Sequence, residues 1–166
     1  MGKRNYHLHI AIAPTKNNDR LEWFLEKSTE IGIDEITPII CDQSERKVVK
    51  EDRLNKIISS AVKQSLKSIH PKLNQQIKFK DFLDKDFPGQ KFIAYIDDDV
   101  KTELSKVYKP SEDALILIGP EGDFRPEEVD LARKKGFTAV SLGKARLRTE
   151  TAGIVSCHTI NIINNL

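Results

Sequence analysis

Apolar residues in this chain come in short runs, none longer than five residues, and stretches of period two alternate with stretches of helical period. That alternation constrains the fold most, because strands separated by helices are joined by crossovers and lie parallel in a sheet buried on both faces. Tyr6, Leu8, Ile10 and Ile12 alternate with His7, His9, Ala11 and Ala13 ahead of Pro14, which predicts a first strand. A helix follows, with Asp19 and Glu22 spaced as a capping box, Leu21, Phe24, Leu25, Ser28 and Ile31 on one face, and Gly32 as the stop. Residues 36–41 read as a second strand in which Pro38 lacks a ladder donor, so an edge position or a local distortion is expected. Leu54, Ile57, Ile58, Ala61, Val62, Leu66 and Ile69 then predict one long amphipathic helix reaching Pro71.

Further strands are predicted at 91–96, 114–118 and 138–142, with a weaker one near 77–79. The helix at 126–135 has Pro126 at its first position, Glu127 and Glu128 in its first turn and Gly136 as its stop. A last helix at 150–164 is apolar at Ala152, Val155, Ile160 and Ile163, with Thr149 as a cap. The expected fold class is therefore α/β, a mainly parallel sheet with helices on both faces, and 166 residues suit one such unit.

No stretch approaches the roughly 20 apolar residues of a membrane span, and no charged segment followed by an apolar one opens the chain, so the cytoplasm is the expected compartment. Cys41 and Cys157 lack the spacing of a disulfide framework or a zinc site, which predicts buried free thiols. His7, His9 and His70 are not spaced with second ligands, and no metal is expected. Net charge is only +2, but between Arg46 and Lys80 ten Lys or Arg stand against Glu51 and Asp52, so one face is suited to a polyanion.

In open parallel sheets ligands bind where loops leave the carboxyl ends of strands. Three loops qualify: Asp97-Asp98-Asp99, Gly119-Pro120-Glu121-Gly122-Asp123, and the cationic run from Gly143 to Thr149. Glu121 and Asp123 argue against a phosphate in the second loop and suit a ligand with a positive centre. Arg148 sits just before a helix start, where the dipole disfavours a cation, so it needs an acidic partner such as Glu150 or Glu121, or a ligand.

The run LIGPEGDF at 117–124, together with SLGKARLRTETA at 141–152, resembles the paired C-terminal signatures of the RsmE-type 16S ribosomal RNA uracil-N3 methyltransferases, of the SPOUT or trefoil-knotted class. KNNDRLEWFLEKSTEIGIDEITP at 16–38, Glu45-Arg46 and KQSLKSIHP at 63–71 resemble the same family in order and spacing, so nearly the whole chain is covered. Departures are local: Asp123 stands where a second glycine is usual, Lys144-Ala145-Arg146 replaces a Pro-Arg-aliphatic run, and Lys67 stands for an Arg. The resemblance implies a C-terminal knot, a homodimer and a methyltransferase domain over 1–166 that lacks the small RNA-binding barrel that precedes it in the family.

The resemblance also implies S-adenosylmethionine as cofactor, lined by Ile96, Ile118, Gly119, Glu121 and Gly122 and by Leu142, Gly143, Leu147, Arg148 and Thr149. Its substrate would be a uridine of small-subunit 16S rRNA, with Arg148 stabilising the anion left when N3 loses its proton and Glu121 or Glu150 accepting that proton. Arg53, Lys56, Ser60, Lys63 and Lys67 recur at helical spacing and, with Arg20 and Arg46, are the candidate RNA contacts. A related knotted ribose 2′-O-methyltransferase and a non-catalytic RNA-binding module are the alternatives.

Overall fold

The computed structural model describes residues 4–165. In chain order the elements are β1 (Leu8–Ile12), α1 (Asn18–Ile31), β2 (Glu35–Ile40), α2 (Glu51–Gln64), β3 (Lys72–Leu73), β4 (Ile77–Lys78), α3 (Phe79–Leu83), β5 (Gln90–Ala94), α4 (Leu104–Val107), β6 (Ala114–Ile118), α5 (Pro126–Lys134), β7 (Thr138–Val140) and α6 (Thr149–Ile163). The strands form one sheet ordered β3-β2-β1-β6-β5-β7, with β4 also against β2. All pairings among these strands are parallel, as the alternation predicts.

Alternation along β1 divides the core. Leu8, Ile10 and Ile12 pack on one face with Leu21, Phe24 and Leu25 of α1, Leu54 and Ile58 of α2 and Ile160 of α6. Ala11 and Ala13 point to the other face, where their small side chains leave room for Phe79, Phe82 and Phe124 and for Val129 of α5. α6 crosses α1 at Gly153, where an added Cβ would lie 2.6 Å from the Phe24 ring. Close approach thus explains a glycine in a helix interior, where it costs about 1 kcal/mol against alanine.

Pro38 marks a break rather than an edge. β1 pairs with β2 along one side, Ile12 opposite Pro38, while the other side is split between β3 at Glu35 and Ile36 and β4 at Ile39 and Ile40. The Asn74 N–H donates to the Ile36 carbonyl on that split side, and the pleat turns residue 38 the same way. The missing donor falls where the outer strand changes.

Other boundaries differ from expectation for local reasons. Asn17, not Asp19, caps α1, its side chain accepting the Asp19 N–H at 2.9 Å, and Glu22 is drawn instead to Arg53. α2 stops at Gln64, Leu66 takes φ +57, and Leu66 and Ile69 are 90% and 51% exposed rather than in the core. Residue 148, not 149, takes the N-cap position of α6, and the Thr149 hydroxyl donates to the Gly119 carbonyl at 2.9 Å. Both cysteines are free and buried, and burial pushes the Cys157 thiol up to about 12. No helix among the described residues is long and apolar enough to cross a membrane.

Candidate active site

β5, β6 and β7 are neighbours in the sheet, so the loops leaving their carboxyl ends converge. They enclose a cavity of about 750 Å³ lined by residues 94–98, 118–121, 123 and 140–149, with Val100, Lys101, Glu103 and Ala152. The volume lies within the roughly 300–1,000 Å³ of small-molecule sites. Ile118, Val140, Leu142 and Leu147 form its apolar wall, and carboxylates and cations ring the mouth.

The three loops are tied together by their own polar groups. Ser141 donates its N–H to the Thr102 carbonyl at 2.8 Å and accepts from the Leu104 N–H at 3.0 Å, which holds the start of the third loop against the end of the first. The Thr149 hydroxyl fastens the third loop to the second at Gly119. Gly143 has φ +119, a region open to glycine, and no atom lies within 4 Å of where its Cβ would stand. Its backbone is therefore approachable from the cavity.

Most sequence-predicted residues meet here: Ile96, Ile118, Gly119 and Glu121 from the first two loops, then Leu142, Gly143, Leu147, Arg148 and Thr149 from the third, all line the cavity. Two do not. Gly122 faces away, its missing Cβ 3.0 Å from Gln43, and Glu150 is buried at 6% exposure in the first turn of α6, outside the lining. The Glu121 carboxylate accepts the Lys16 N–H at 2.8 Å through Oε2, and the Arg46 guanidinium caps the carbonyls of Thr15 and Lys16. Arg148 is exposed, and its guanidinium makes no ion pair or hydrogen bond among the described residues.

Asp123, read in the sequence as a loop carboxylate suited to a positive centre but not among the residues expected to line the cofactor, also lines the cavity. It sits at φ +66, and its Oδ1 accepts the Phe124 N–H at 2.8 Å. Burial raises its carboxyl above the usual range, and the backbone N–H groups of Phe124 and Ile96 pull it back only in part. The available signal was its place in a glycine loop, since Asp tolerates a left-handed backbone better than most residues. The acidic run is a solvated turn in which Asp97 accepts the Asp99 N–H at 2.8 Å.

The basic face is smaller than its periodicity suggests. Arg53 is bound to Glu22 at 3.0 and 3.1 Å, Lys56 and Lys63 are exposed along α2, and Lys67 lies beyond the end of the helix. Arg20 is half-buried near the start of α1.

The family profile described as an RNA methyltransferase domain matches residues 2–161. The chain belongs to this family. It is similar to the ribosomal RNA small subunit methyltransferase E of Mesomycoplasma hyopneumoniae, 35% identical over 92% of this chain and 67% of that one. The protein of the same name from Rickettsia conorii is 30% identical over 95% of this chain and 65% of its own. Among solved structures, a probable rRNA-methyltransferase from Porphyromonas gingivalis superposes with a TM-score of 0.89 at 46% identity, covering 95% of this chain and 68% of that chain. The methyltransferase E of Neisseria gonorrhoeae, solved bound to S-adenosyl methionine, gives 0.86 at 30%, covering 95% and 66%. The chain thus spans about two thirds of the length of these RNA methyltransferases.

Proposed function

We propose that this RNA methyltransferase binds S-adenosylmethionine between the three loops and methylates N3 of a uridine in 16S rRNA of the small ribosomal subunit, in the cytoplasm. The observation that carries the reading is one cavity formed jointly by the two signature runs, with an unpaired Arg148 at its mouth. The residues present fit the cofactor: an apolar slot for a base, an approachable backbone at Gly143 and carboxylates compatible with a sulfonium. Bound there, the cofactor supplies a methyl group on a positively charged sulfur.

The remaining work falls to the chain. Uridine N3 carries an imide proton, and the negative charge left by its loss spreads over O2 and O4. The Thr149 bond to Gly119 fixes the start of α6, which puts the free guanidinium of Arg148 at the cavity mouth as a partner for that charge. Glu121 keeps one oxygen on the Lys16 N–H and turns the other free to accept the proton, directly or through water. Glu150, buried in the first turn of α6 and outside the cavity lining, is not placed to do so. Arg20, Lys56, Lys63 and Lys67 supply phosphate contacts, and Arg46 and Arg53 contribute less because the Thr15 and Lys16 carbonyls and Glu22 already hold them.

Residues 1–166 form one methyltransferase domain in this proposal, working as a homodimer. No Lys or Arg occurs from Thr151 to Leu166, and Ile162 of α6 is 55% exposed, which supports a covered helix face. The ties of Ser141 to residues 102 and 104 and of Thr149 to Gly119 support a threaded, knotted C-terminal segment. The test is mass-spectrometric mapping of small-subunit RNA after incubation with chain and cofactor. One N3-methyluridine is expected. A methyl on ribose oxygen, or none with RNA still bound, would favour the 2′-O-methyltransferase or the non-catalytic module.

A further inference from the structure

Five carboxylates line the cavity, and they are not equivalent. Glu121 is engaged with the Lys16 N–H, Asp97 with the Asp99 N–H, and Glu103 with the Lys106 ammonium at 2.9 Å. Asp98 is exposed, where water and salt screen a charge strongly. Asp123 and Glu103 are the half-buried two, and Asp123 is the one of them without an ion pair among the described residues, its Oδ1 accepting the Phe124 N–H. A carboxylate in that setting is screened least and acts furthest on whatever occupies the cavity.

From this placement we infer that Asp123 is a specificity-determining residue, which makes the pocket prefer the positively charged sulfonium cofactor over the neutral thioether, S-adenosylhomocysteine, that remains after methyl transfer. The inference rests on the cofactor reading above. The two molecules share adenine, ribose and amino-acid portions and differ by one methyl group and one positive charge, so apolar walls and backbone amides hold both nearly alike. A charge in the wall separates them. A cavity of about 750 Å³ keeps a bound cation within about one Debye length, ~10 Å, of its lining. The consequence is relief of product inhibition: the pocket releases what it no longer attracts.

The groups facing Asp123 leave its charge in place. Tyr95 comes from the first loop, Arg146 from the third and Cys41 from the end of β2. Arg146 is exposed and acts at a distance, and burial raises both the tyrosine and the thiol, so neither neighbour carries a competing negative charge near neutrality. Burial also raises the Asp123 carboxyl, so it takes up its proton at a higher pH than an exposed aspartate does.

Calorimetric titration of the wild type, Asp123→Asn and Asp97→Asn with each of the two molecules tests this. Asparagine keeps an accepting oxygen for the Phe124 N–H and tolerates a left-handed backbone, so the loop is retained. The expected result is a wild-type preference for the sulfonium that falls about tenfold in Asp123→Asn, chiefly through the charged ligand, and is unchanged in Asp97→Asn. The wild-type preference should also fall as pH is lowered through the Asp123 titration, and the Asn variant should show no such fall. Equal affinities in the wild type, an unchanged ratio in Asp123→Asn, or the same loss in Asp97→Asn would overturn the inference while leaving the cofactor site standing. Failure of the wild type to bind either molecule would overturn both.

Discussion

Both ends of the central strands carry charged and polar side chains, yet they differ in how those side chains are satisfied. At the amino ends Arg4 meets Asp34, Tyr6 and Asn161, and Asp34 also accepts the Leu8 N–H at 2.7 Å. His7 lies 2.9 Å from Glu35, and Asn74 donates at 2.7 Å to both Glu35 and Thr37, whose hydroxyl also bonds His9. Every one of those groups is answered from within the chain. At the carboxyl ends a cavity opens, and Lys144, Arg146 and Arg148 stand around it without ion pairs among the described residues. The lesson is that charge density alone does not mark a site; charge left unanswered beside a cavity does.

The largest expected effect breaks function without touching the fold. Arg148→Ala should lower the methyl-transfer rate by about 100-fold or more, roughly 3 kcal/mol, with cofactor affinity nearly kept. Its unfolding free energy should stay within about 0.5 kcal/mol of wild type in a urea titration. Partial recovery in Arg148→Lys would show that charge matters more than the planar fork. An equal loss of rate and cofactor affinity would make Arg148 a cofactor ligand.

The amino end should show the opposite pattern. Asp34→Ala leaves Arg4 and the Leu8 N–H without their acceptor and should cost about 2 kcal/mol in urea unfolding, with cofactor binding unchanged. Unchanged stability would mean that the satisfied network is decoration.

That contrast was only partly legible in the sequence. Period-two and helical stretches are set by burial on a sheet, so β1, β2 and β4 to β7 in their order and the α/β class followed from them, while β3, two residues long, carried no period to read. The length of α2 did not follow, because Leu66 and Ile69 continue the helical spacing but have no core to face once Leu66 turns to φ +57. The short α3 and α4, Phe79–Leu83 and Leu104–Val107, carry too few turns for periodicity to register. Motif spacing placed the three loops, since glycines and apolar strands precede them. Direction within a loop was invisible: Gly122 and Asp123 are neighbours, yet one faces Gln43 and the other the cavity. The Arg53 pairing with Glu22 joins two helices, and no local pattern encodes it.

The amino end should also carry a pH effect on stability of its own. Burial among Phe82 and Phe87 pushes His9 down to about 4 from the ordinary 6.5, so it stays neutral in the fold while the unfolded chain takes up a proton. Stability should therefore fall by about 2 kcal/mol as pH drops from about 7 to 5. Glu35, held down to about 2 by His7 and Asn74, remains ionised across that window and adds no slope. His7 is raised by Glu35, so its contribution is present at low pH and lost as pH rises through its folded value; half-exposed, it offsets His9 only in part. Urea titrations at the two pH values should show the loss in the wild type and little of it in His9→Gln.

The smallest effect concerns the basic face. Lys56→Gln with Lys63→Gln should reduce the salt slope of RNA binding by about 1.4 if each lysine contacts one phosphate of a single strand. Thermal stability and cofactor affinity should not move. An unchanged slope would remove α2 from the RNA path.

A crystal structure of the chain with S-adenosylmethionine would show whether the unanswered end of the sheet is the methyl-donor site. Cofactor density is expected between residues 94–98, 118–123 and 140–149, with the adenine against Ile118, Leu142 and Leu147. Density anywhere else, such as the groove of Lys16, Arg46 and Lys47, or saturating cofactor with this cavity still open, would contradict it.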